Sequence, residues 1–337
     1  MVGTNVMNED AELSSLTPFP SLEELGFDGA ELDLLKAKMS EPVGLVLVGG
    51  ISGSRHEGTI NACVLHAMTT FARKVTLVTH DDLCELDEHP APPDVGGIVH
   101  KALTAVMKRN PDLIISAEAR SVEGFEFAMK CALSGHKLIT NIHAGSSFKI
   151  VDRMLRFGVR ADDLMAPHTL SALVYQVSLP RLCQHCSVGF ADSVASSPGN
   201  LGKSQIRRFE NFIEHELMGK LKFRNKAGCS QCHGGVTGMT LAAEVVSPDS
   251  HLLDLMVRSE HCRALDYFRE QGGKTALDKA IGKAFRGEVD LRDVEHKLDI
   301  LQHHIVCDAD GVRVQYEYPP EFMIEGATSV PVIRDRT

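Results

Sequence analysis

Between residues 44 and 143, short apolar runs alternate along the chain with longer stretches whose apolar positions follow a helical period. The four runs are continuously apolar, as is typical of strands buried on both faces, and they lie at 44–50, 74–79, 112–118 and 137–143. Helices are predicted between them at 59–71, 98–108 and 122–133. This alternation predicts an α/β fold with a mainly parallel sheet that is covered by helices on both sides.

The segments on either side of this region follow other patterns. Residues 22–39 have a helical period that is interrupted at Gly26 and Gly29, so we expect two short helices. The pattern at 248–302 predicts helices throughout, and 305–318 alternate around Asp310-Gly311, a turn pair that predicts a β-hairpin. We therefore divide the chain into a tail (1–21), a main domain (22–247), a helical C-terminal subdomain (248–302) and a hairpin with a tail (303–337).

The composition excludes several classes of partner. The 337 residues are 43% hydrophobic, which allows a sizeable core, and their formal net charge is -10. An acidic protein is repelled by nucleic acids and anionic membranes, so we expect no nucleic-acid partner. The first residues do not resemble a signal peptide, and no apolar run approaches the ~18 residues that cross a bilayer. We expect a cytoplasmic protein, or one held at the inner membrane through a partner.

Four of the nine cysteines form two Cys-x-x-Cys pairs within an element at 181–238 that interrupts the α/β pattern. Four thiolates suit a tetrahedral Zn²⁺ ion, and each pair presents two sulfurs to one point. We expect a structural zinc site, with a redox dithiol or free thiols as the alternative. The expected ligands are Cys183, Cys186, Cys229 and Cys232. His185 and His233 lie beside them as spare ligands or solvated neighbours.

The other cysteines and the basic residues of this element have simpler interpretations. Single cysteines in apolar or mixed segments are expected to be buried small hydrophobes. They are Cys63, Cys84, Cys131, Cys262 and Cys307. The stretch between the pairs contains Lys203, Arg207 and Arg208. We interpret it as a solvated face, with a docking surface for a membrane-protein partner as the alternative.

The first predicted strand leads into a glycine-rich loop, ISGSRHEG, where a phosphate-binding loop lies in a parallel α/β sheet. The candidate phosphate-binding residues are Gly50, Ser52, Gly53, Ser54, Arg55, His56 and Glu57. A working loop ends in Gly-Lys-Ser/Thr, where the glycine lets the backbone close on the phosphates, the lysine meets the β- and γ-phosphates and the hydroxyl binds Mg²⁺. An ordinary strand-to-helix turn is the alternative for this loop taken alone.

Three residues of the loop oppose nucleotide binding. Arg55 places a side chain where glycine's freedom at positive φ is useful. His56 is shorter than lysine and, with a reference pKa of ~6.5, is mostly neutral in neutral solution. Glu57 places a carboxylate beside the phosphates, and one repulsion at ~4 Å costs at most on the order of 4 kcal/mol at an effective dielectric constant of ~20. This cost is an upper bound, because Arg55 can offset the charge or Glu57 can itself bind Mg²⁺.

Several motifs occur in the order found in one family of ATPases. They are SLEELGFD (21–28), GLVLVGG (44–50), PDLIISAEARS (111–121), SGHKLITNIHAGSS (134–147), LCQHC (182–186) and AGCSQCHGG (227–235). From Leu22 to about Leu301 the chain resembles the motor domain of the type II secretion, type IV pilus and type IV secretion ATPases. The resemblance implies a RecA-like P-loop NTPase core with a zinc-knuckle insertion and a helical C-terminal subdomain.

The resemblance also implies roles for residues outside the loop. Glu118 falls where the family has the carboxylate that orients the attacking water, and His143 falls where a histidine senses the γ-phosphate. Arg120 lies in its expected place as a residue of the nucleotide site. The cofactors implied are structural zinc and ATP or ADP with Mg²⁺. The partners implied are a ring of this chain, alone or with a related ATPase, and an inner-membrane protein of the apparatus.

Departures from the family pattern are spread over the whole site. Thr79 and His80 stand in place of the family's paired acids, although Asp81 and Asp82 follow them. The other departures are Ala117, Asn141, Ala144, Gly145, Val177 and Met239. About twenty residues precede the resemblance, too few for the family's N-terminal domain, so we expect the chain to lack it.

These departures favour a motor-family subunit with weak or absent hydrolysis and a regulatory or structural role. One alternative is an active ATPase that powers a pilus or secretion system, in which Arg55 and His56 handle phosphate charge and Glu118 positions water. The other is a zinc-stabilised adaptor that binds no nucleotide.

Overall fold

The computed structural model describes eight stretches of the chain, namely residues 20–72, 74–78, 103–116, 118–195, 203–213, 218–298, 305–307 and 313–315. The chain divides into two compact units. Unit 1 comprises residues 1–177 and 243–264, and unit 2 comprises residues 178–242 and 265–337. The predicted domain boundaries differ from this division and remain a prediction.

The sheet of unit 1 contains the four strands predicted from the apolar runs. These are β1 (Gly44–Gly50), β2 (Val75–Val78), β3 (Leu113–Ser116) and β4 (Lys137–His143). Two long strands, β5 (Leu170–Leu182) and β8 (Val236–Val246), continue into unit 2. The strand order is β2-β3-β4-β1-β5-β8, and β1 runs parallel to both β4 and β5. The parallel pairs β2–β3 and β3–β4 complete the mainly parallel arrangement predicted from the sequence.

The helices of unit 1 agree with the predicted alternation where it is described. They are α1 (Leu22–Leu25), α2 (Gly29–Ser40), α3 (His56–Thr70), α4 (Val122–Leu133), α5 (Ser147–Arg156), α6 (Ala161–Met165) and α9 (Ser250–Val257). The prediction of two helices in 22–39 is confirmed: a capping box at Ser21 starts α1, and Gly26, in the left-handed region at φ 111°, ends it. Residues 103–107 are helical, and the rest of the predicted helix at 98–108 lies partly outside the described residues.

Unit 2 contains the cysteine element and most of the C-terminal helices. Its elements are β6 (Val188–Gly189), α7 (Phe190–Ala195), α8 (Lys203–Phe212), β7 (Lys222–Phe223), α11 (Ala276–Phe285), α12 (Leu291–Lys297), β9 (Ile305–Cys307) and β10 (Arg313–Gln315). Helix α10 (His261–Glu270) begins in unit 1 and ends in unit 2. Strands β9 and β10 pair antiparallel as the predicted hairpin requires, and Asp310-Gly311 lies outside the described residues.

Two expectations about burial were wrong. Strand β2 was expected to be buried on both faces, but Leu77 is 49% exposed, because β2 lies at the end of the strand order and is less covered than the central strands. Cys262 was expected to be buried and is exposed in the first turn of α10. Cys63 and Cys131 are buried as predicted, and Cys84 lies outside the described residues. Among the described residues, no helix is long and apolar enough to cross a membrane.

The centre of the sheet is apolar, and one buried carboxylate orients the helix beside it. Leu45, Val46, Leu47 and Val48 of β1 are all fully buried. Glu244 of β8 is 3% exposed and accepts hydrogen bonds from the Ser147 backbone N–H at 2.6 Å and the Ser147 hydroxyl at 2.5 Å. A carboxylate at the first residue of α5 satisfies a free N–H and interacts favourably with the helix dipole. This bond holds α5 beside the candidate site, where Ile150 packs against Gly49.

Candidate functional site

The glycine-rich loop connects the C-terminal end of β1 to α3. The Ser54 N–H donates to the Ile51 carbonyl at 3.1 Å, and the Ser54 hydroxyl donates to the same oxygen. Arg55 follows in the left-handed region, with φ 60° and ψ 41°, and α3 begins at His56. A non-glycine residue in this region is strained, so the sequence argument that Arg55 occupies a position suited to glycine agrees with its backbone. The loop is therefore a tight turn around Ile51 and Ser54.

The interior of this turn is occupied by the imidazole of His56. A Cβ atom at Gly50 would lie 2.6 Å from His56 Nε2, 2.6 Å from Ser54 Oγ and 2.7 Å from the Gln176 carbonyl oxygen. Only glycine fits at position 50, and the ring rests directly over it. Within the described part of the chain His56 Nε2 is buried and has no hydrogen-bond partner. Burial first, and then neighbouring His143, lower the pKa of His56 below its usual value, so the ring is neutral at neutral pH.

The residues on either side of His56 point outward. Arg55 and Glu57 are exposed, as are Ser52 and Gly53, whereas Ser54 is 2% exposed. Glu57 lies in the first turn of α3, where its carboxylate meets the partial positive charge of the helix N-terminus. The structure thus places the seven predicted loop residues in one turn, but the side chain that fills it is His56 and not Arg55 or Glu57.

Glu118 and His143 lie together at the C-terminal ends of β3 and β4. Their closest atoms, Glu118 Oε1 and His143 Nε2, are 3.3 Å apart. The Ala119 N–H donates to the Asn141 carbonyl at 2.9 Å, which holds the segment after β3 against β4. His143 pairs with Gly50 in the register of β1 and β4, and the His56 and His143 rings have centroids 6.0 Å apart. Glu118, His143 and His56 therefore form one cluster, while Arg120 is exposed two residues beyond Glu118.

Gln176 was not predicted from the sequence, and it joins three parts of this site. It is fully buried in β5; its Nε2 donates to the Ser54 carbonyl at 2.6 Å, and its Oε1 accepts from the Thr59 hydroxyl at 2.7 Å. It also pairs with Gly50 in the register of β1 and β5. The available signal was a single amide within an otherwise apolar run, LVYQV, since a buried amide must find hydrogen-bond partners.

The four cysteines of unit 2 come together as predicted. Their Sγ atoms all lie within 4.8 Å of one another, with separations of 3.8 Å for Cys183–Cys229, 3.7 Å for Cys186–Cys232 and 3.7 Å for Cys229–Cys232. A tetrahedron of sulfurs ~2.3 Å from a zinc ion has edges of about 3.8 Å. All four cysteines are free thiols in the structure, so the geometry fits a metal centre better than disulfides.

Glycines and one arginine shape the second cysteine turn. Gly235 has φ 83°, and a Cβ atom there would lie 2.4 Å from the Asn225 carbonyl oxygen. The Cys229 N–H donates to Cys232 Sγ at 3.3 Å, and Arg224 Nε donates to the Gly234 carbonyl at 2.7 Å. The backbone of Arg224 is held in turn by Asp290 Oδ2 at 2.9 Å. These bonds orient the thiols, as second-shell contacts do in metal sites.

The histidines and basic residues of the cysteine element lie outside the thiol cluster. His185 and His233 are exposed, and the described group that could hold a metal consists of the four cysteines alone. Arg207 of α8 is exposed, as a solvated face requires. The side chains of Lys203 and Arg208 lie outside the described residues.

Comparison with known proteins places these features in a family. Residues 12–296 match the family model described as "Type II/IV secretion system protein". The type IV pilus assembly ATPase PilB of Thermus thermophilus is 25% identical over 84% of this chain and 31% of its own length. Type II secretion system protein E of Xanthomonas campestris pv. campestris is 25% identical over 80% of this chain and 46% of its own length. The chain thus spans about half or less of the curated relatives it matches.

Two solved structures show the same fold. The pilus retraction motor PilT, crystallised with ADP, has a TM-score of 0.53 at 17% identity and covers 83% of this chain and 67% of its own. The Legionella pneumophila ATPase DotB has a TM-score of 0.50 at 14% identity, over 82% of this chain and 64% of its own. These likenesses concern the fold alone, and they confirm the α/β, RecA-like core predicted from the sequence. Because the family model matches most of the residues, the chain belongs to the type II/IV secretion system protein family.

Proposed function

We propose that this chain is a motor-family subunit of a secretion or pilus-assembly apparatus that hydrolyses ATP weakly or not at all. Its role is then regulatory or structural, and it acts within an oligomer formed alone or with a related ATPase. An inner-membrane protein of the apparatus is the expected contact at the membrane. The relatives named as pilus assembly ATPase and secretion protein E support the class of machine.

The position of His56 is the observation that carries this proposal. Phosphate binding by a glycine-rich loop requires backbone N–H groups that point into an open turn. Here His56 Nε2 lies 2.6 Å from the position that a Cβ atom at Gly50 would occupy. Because the ring is neutral and already fills this space, it neither attracts a phosphate nor leaves room for one.

Glu57 adds an electrostatic reason for weak nucleotide binding. Its carboxylate lies in the first turn of α3, the place where the helix N-terminus attracts anions. A phosphate approaching the loop meets this negative charge before it reaches the backbone. Since Glu57 is exposed, we expect solvent to reduce the repulsion toward the ~1 kcal/mol that two unit charges feel at ~4 Å in water.

The test is steady-state phosphate release by the purified full chain with ATP and Mg²⁺, beside the variant Glu118→Gln. We expect both proteins to show the same background rate. If wild-type turnover exceeds background and disappears in Glu118→Gln, the chain is an active ATPase and the proposal is wrong. A rate that Glu118→Gln leaves unchanged comes from a contaminant.

The active alternative has one structural observation in its favour. Glu118 and His143 remain 3.3 Å apart at the ends of adjacent strands, as a site that positions water requires. Calorimetric titration with ATP and ADP tests the other alternative, a zinc-stabilised adaptor that binds no nucleotide. Micromolar binding of either nucleotide excludes such an adaptor.

We also propose that the tetracysteine group holds a structural zinc ion. Four thiolates complete a tetrahedron and leave no open position for catalysis. Cys183, Cys186, Cys229 and Cys232 have the separations that such an ion requires. Zinc then stabilises the turns of unit 2 and takes no part in the chemistry of the loop.

A further inference from the structure

We propose that Gln176 is a positioning residue that holds the glycine-rich loop closed around His56. This inference rests on the proposed function, because it explains what keeps the loop in its occupied form. Its hydrogen bonds are to the loop and to α3, not to the candidate chemical groups Glu118 and His143.

The first step is the geometry of the amide. Gln176 Nε2 donates to the Ser54 carbonyl at 2.6 Å, and Oε1 accepts from the Thr59 hydroxyl at 2.7 Å. One planar group therefore ties the last part of the loop to the first turns of α3. The orientation is unambiguous, since the carbonyl of Ser54 can only accept, so the nitrogen of the amide must face it.

The second step is burial. Gln176 and Thr59 are fully buried, and Ser54 is 2% exposed, so water does not replace these bonds when they are lost. A buried polar group left without its partner costs more than an exposed one. The amide thus favours the one loop conformation in which the Ser54 carbonyl turns toward β5.

The bond between Gln176 and Ser54 also affects the position of His56. When the Ser54 carbonyl faces Gln176, the Ser54 hydroxyl donates to Ile51 and lies beside Gly50, next to the imidazole. Arg55 then takes its left-handed conformation and directs His56 back over Gly50. If the bond to Ser54 is lost, the strained residue at position 55 can relax and the ring can leave the turn.

The experiment compares four variants of the full chain without added nucleotide. Gln176→Met removes both hydrogen bonds at similar side-chain length, and Gln176→Asn keeps an amide that is too short to reach Ser54. Thr59→Val removes the bond to α3 but leaves the bond to Ser54. Ser178→Ala is the matched control, because Ser178 is a buried polar residue two positions along β5 whose hydroxyl has no partner among the described residues.

Two readouts follow the loop: amide hydrogen exchange in residues 51–58, and the pKa of His56 measured by NMR of its imidazole. In Gln176→Met and Gln176→Asn we expect the loop amides to exchange about tenfold faster, as for one lost buried hydrogen bond. We also expect the pKa of His56 to rise toward ~6.5 as the ring reaches water. Thr59→Val keeps the bond to Ser54 and should therefore change both readouts less than the Gln176 variants do, and Ser178→Ala should leave both as in the wild type.

Two results overturn the proposal, in different ways. If both Gln176 variants lower stability but leave loop exchange and the His56 titration unchanged, Gln176 is an ordinary core amide. The proposal that His56 occupies the loop is then unaffected. If His56 of the wild type already titrates at the usual value, the loop is not occupied in solution, and the basis of the proposed function fails as well. Should Gln176→Met not fold, Gln176→Asn carries the same two readouts.

Discussion

Gly50 and His56 constrain each other through a direct contact. The ring lies where a side chain at position 50 would be, so the imidazole of His56 fits here only above a glycine. Arg55 directs the ring inward by its left-handed backbone, although its own side chain is exposed. At the scale of single residues, the altered loop therefore differs from an open phosphate loop in both charge and shape.

Gly50→Ala should be strongly destabilising, and part of the cost should depend on His56. The new methyl group would collide with His56 Nε2, Ser54 Oγ and the Gln176 carbonyl, and overpacking of this kind costs about 1–3 kcal/mol. In the background His56→Ala one of the three collisions is absent. We expect a double-mutant cycle in urea to give a coupling free energy above ~0.5 kcal/mol. Strictly additive effects would mean that the ring does not rest on Gly50.

His56 should also make the free energy of unfolding depend on pH. Burial and His143 lower the pKa of folded His56, so the unfolded chain binds the proton first as the pH falls. The associated stability is complete above about pH 6.5 and is lost as the pH falls through the lower folded pKa.

The measurement for this prediction is urea unfolding of wild type and His56→Gln across the acidic range. The wild type should lose more stability than the variant as the pH falls below about 6.5. Ser178→Ala, which removes no ionisable group, serves as the control and should lose stability with falling pH as the wild type does. Parallel curves for wild type and His56→Gln would contradict a buried, neutral ring.

At the scale of elements, sequence reasoning located the pieces that have strong local patterns. The continuous apolar runs at β1, β3 and β4 and the helix α4 are confirmed, because burial on both faces and helical period leave clear signatures. The cysteine cluster is also confirmed, because Cys-x-x-Cys spacing determines the geometry locally.

The elements that were missed depend on distant contacts. Strands β5 and β8 were not predicted, although both are long and mostly buried, because they leave the repeated α/β pattern and flank the cysteine element. Gln176 could not be assigned, since its partners Ser54 and Thr59 lie more than a hundred residues away in sequence. The position of the His56 ring inside the loop could not be predicted either, because it depends on the backbone angles of Arg55 and on the register of β1 with β5.

The N-terminus of α5 should depend on the carboxylate of Glu244. Glu244→Met has a similar length but no acceptor, so it leaves the buried Ser147 N–H without a partner, at a cost of about 1–3 kcal/mol. Glu244→Gln keeps a carbonyl oxygen that can accept the same bond and should cost less. The free energy of unfolding in urea measures both, and an equal loss in the two variants would show that the charge, and not the acceptor, is what matters.

The cysteine element should bind about one zinc ion per chain and require it for local order. Cys229→Ser removes one of four thiolates, and Cys262→Ser, at an exposed cysteine outside the cluster, is the control. Elemental analysis should find zinc in wild type and Cys262→Ser and little in Cys229→Ser. Hydrogen exchange should rise around residues 229–236 only when the metal is lost. Full zinc content in Cys229→Ser would remove Cys229 from the ligand set.

At the scale of the whole molecule, the chain has the fold of its family, and its glycine-rich loop carries Arg55, His56 and Glu57. Glu118 and His143 lie 3.3 Å apart, so on the proposed function the loop is the part that limits nucleotide binding. The variant Arg55→Gly with His56→Lys and Glu57→Thr supplies the sequence of a working loop. In calorimetry with ATP and Mg²⁺, we expect measurable binding by this variant and none by the wild type.

The same three changes in the background Glu118→Gln provide the control for this prediction. Binding should persist there, because Glu118 is assigned to water and not to phosphate, while any turnover should disappear. If the loop variant folds but still fails to bind, the remaining departures, such as Val177 and Met239, limit the site as well.

The contact between His56 and Gly50 limits what one substitution can do to the loop. Replacing Arg55 or Glu57 alone leaves the imidazole in the turn, and replacing His56 alone leaves a bulky cation at the left-handed position and an anion beside it. His56→Lys removes the ring and supplies a cation, but it leaves the side chain of Arg55 and the charge of Glu57 in place. On the proposed function, a loop that is both open and free of the Glu57 charge therefore requires several substitutions made together.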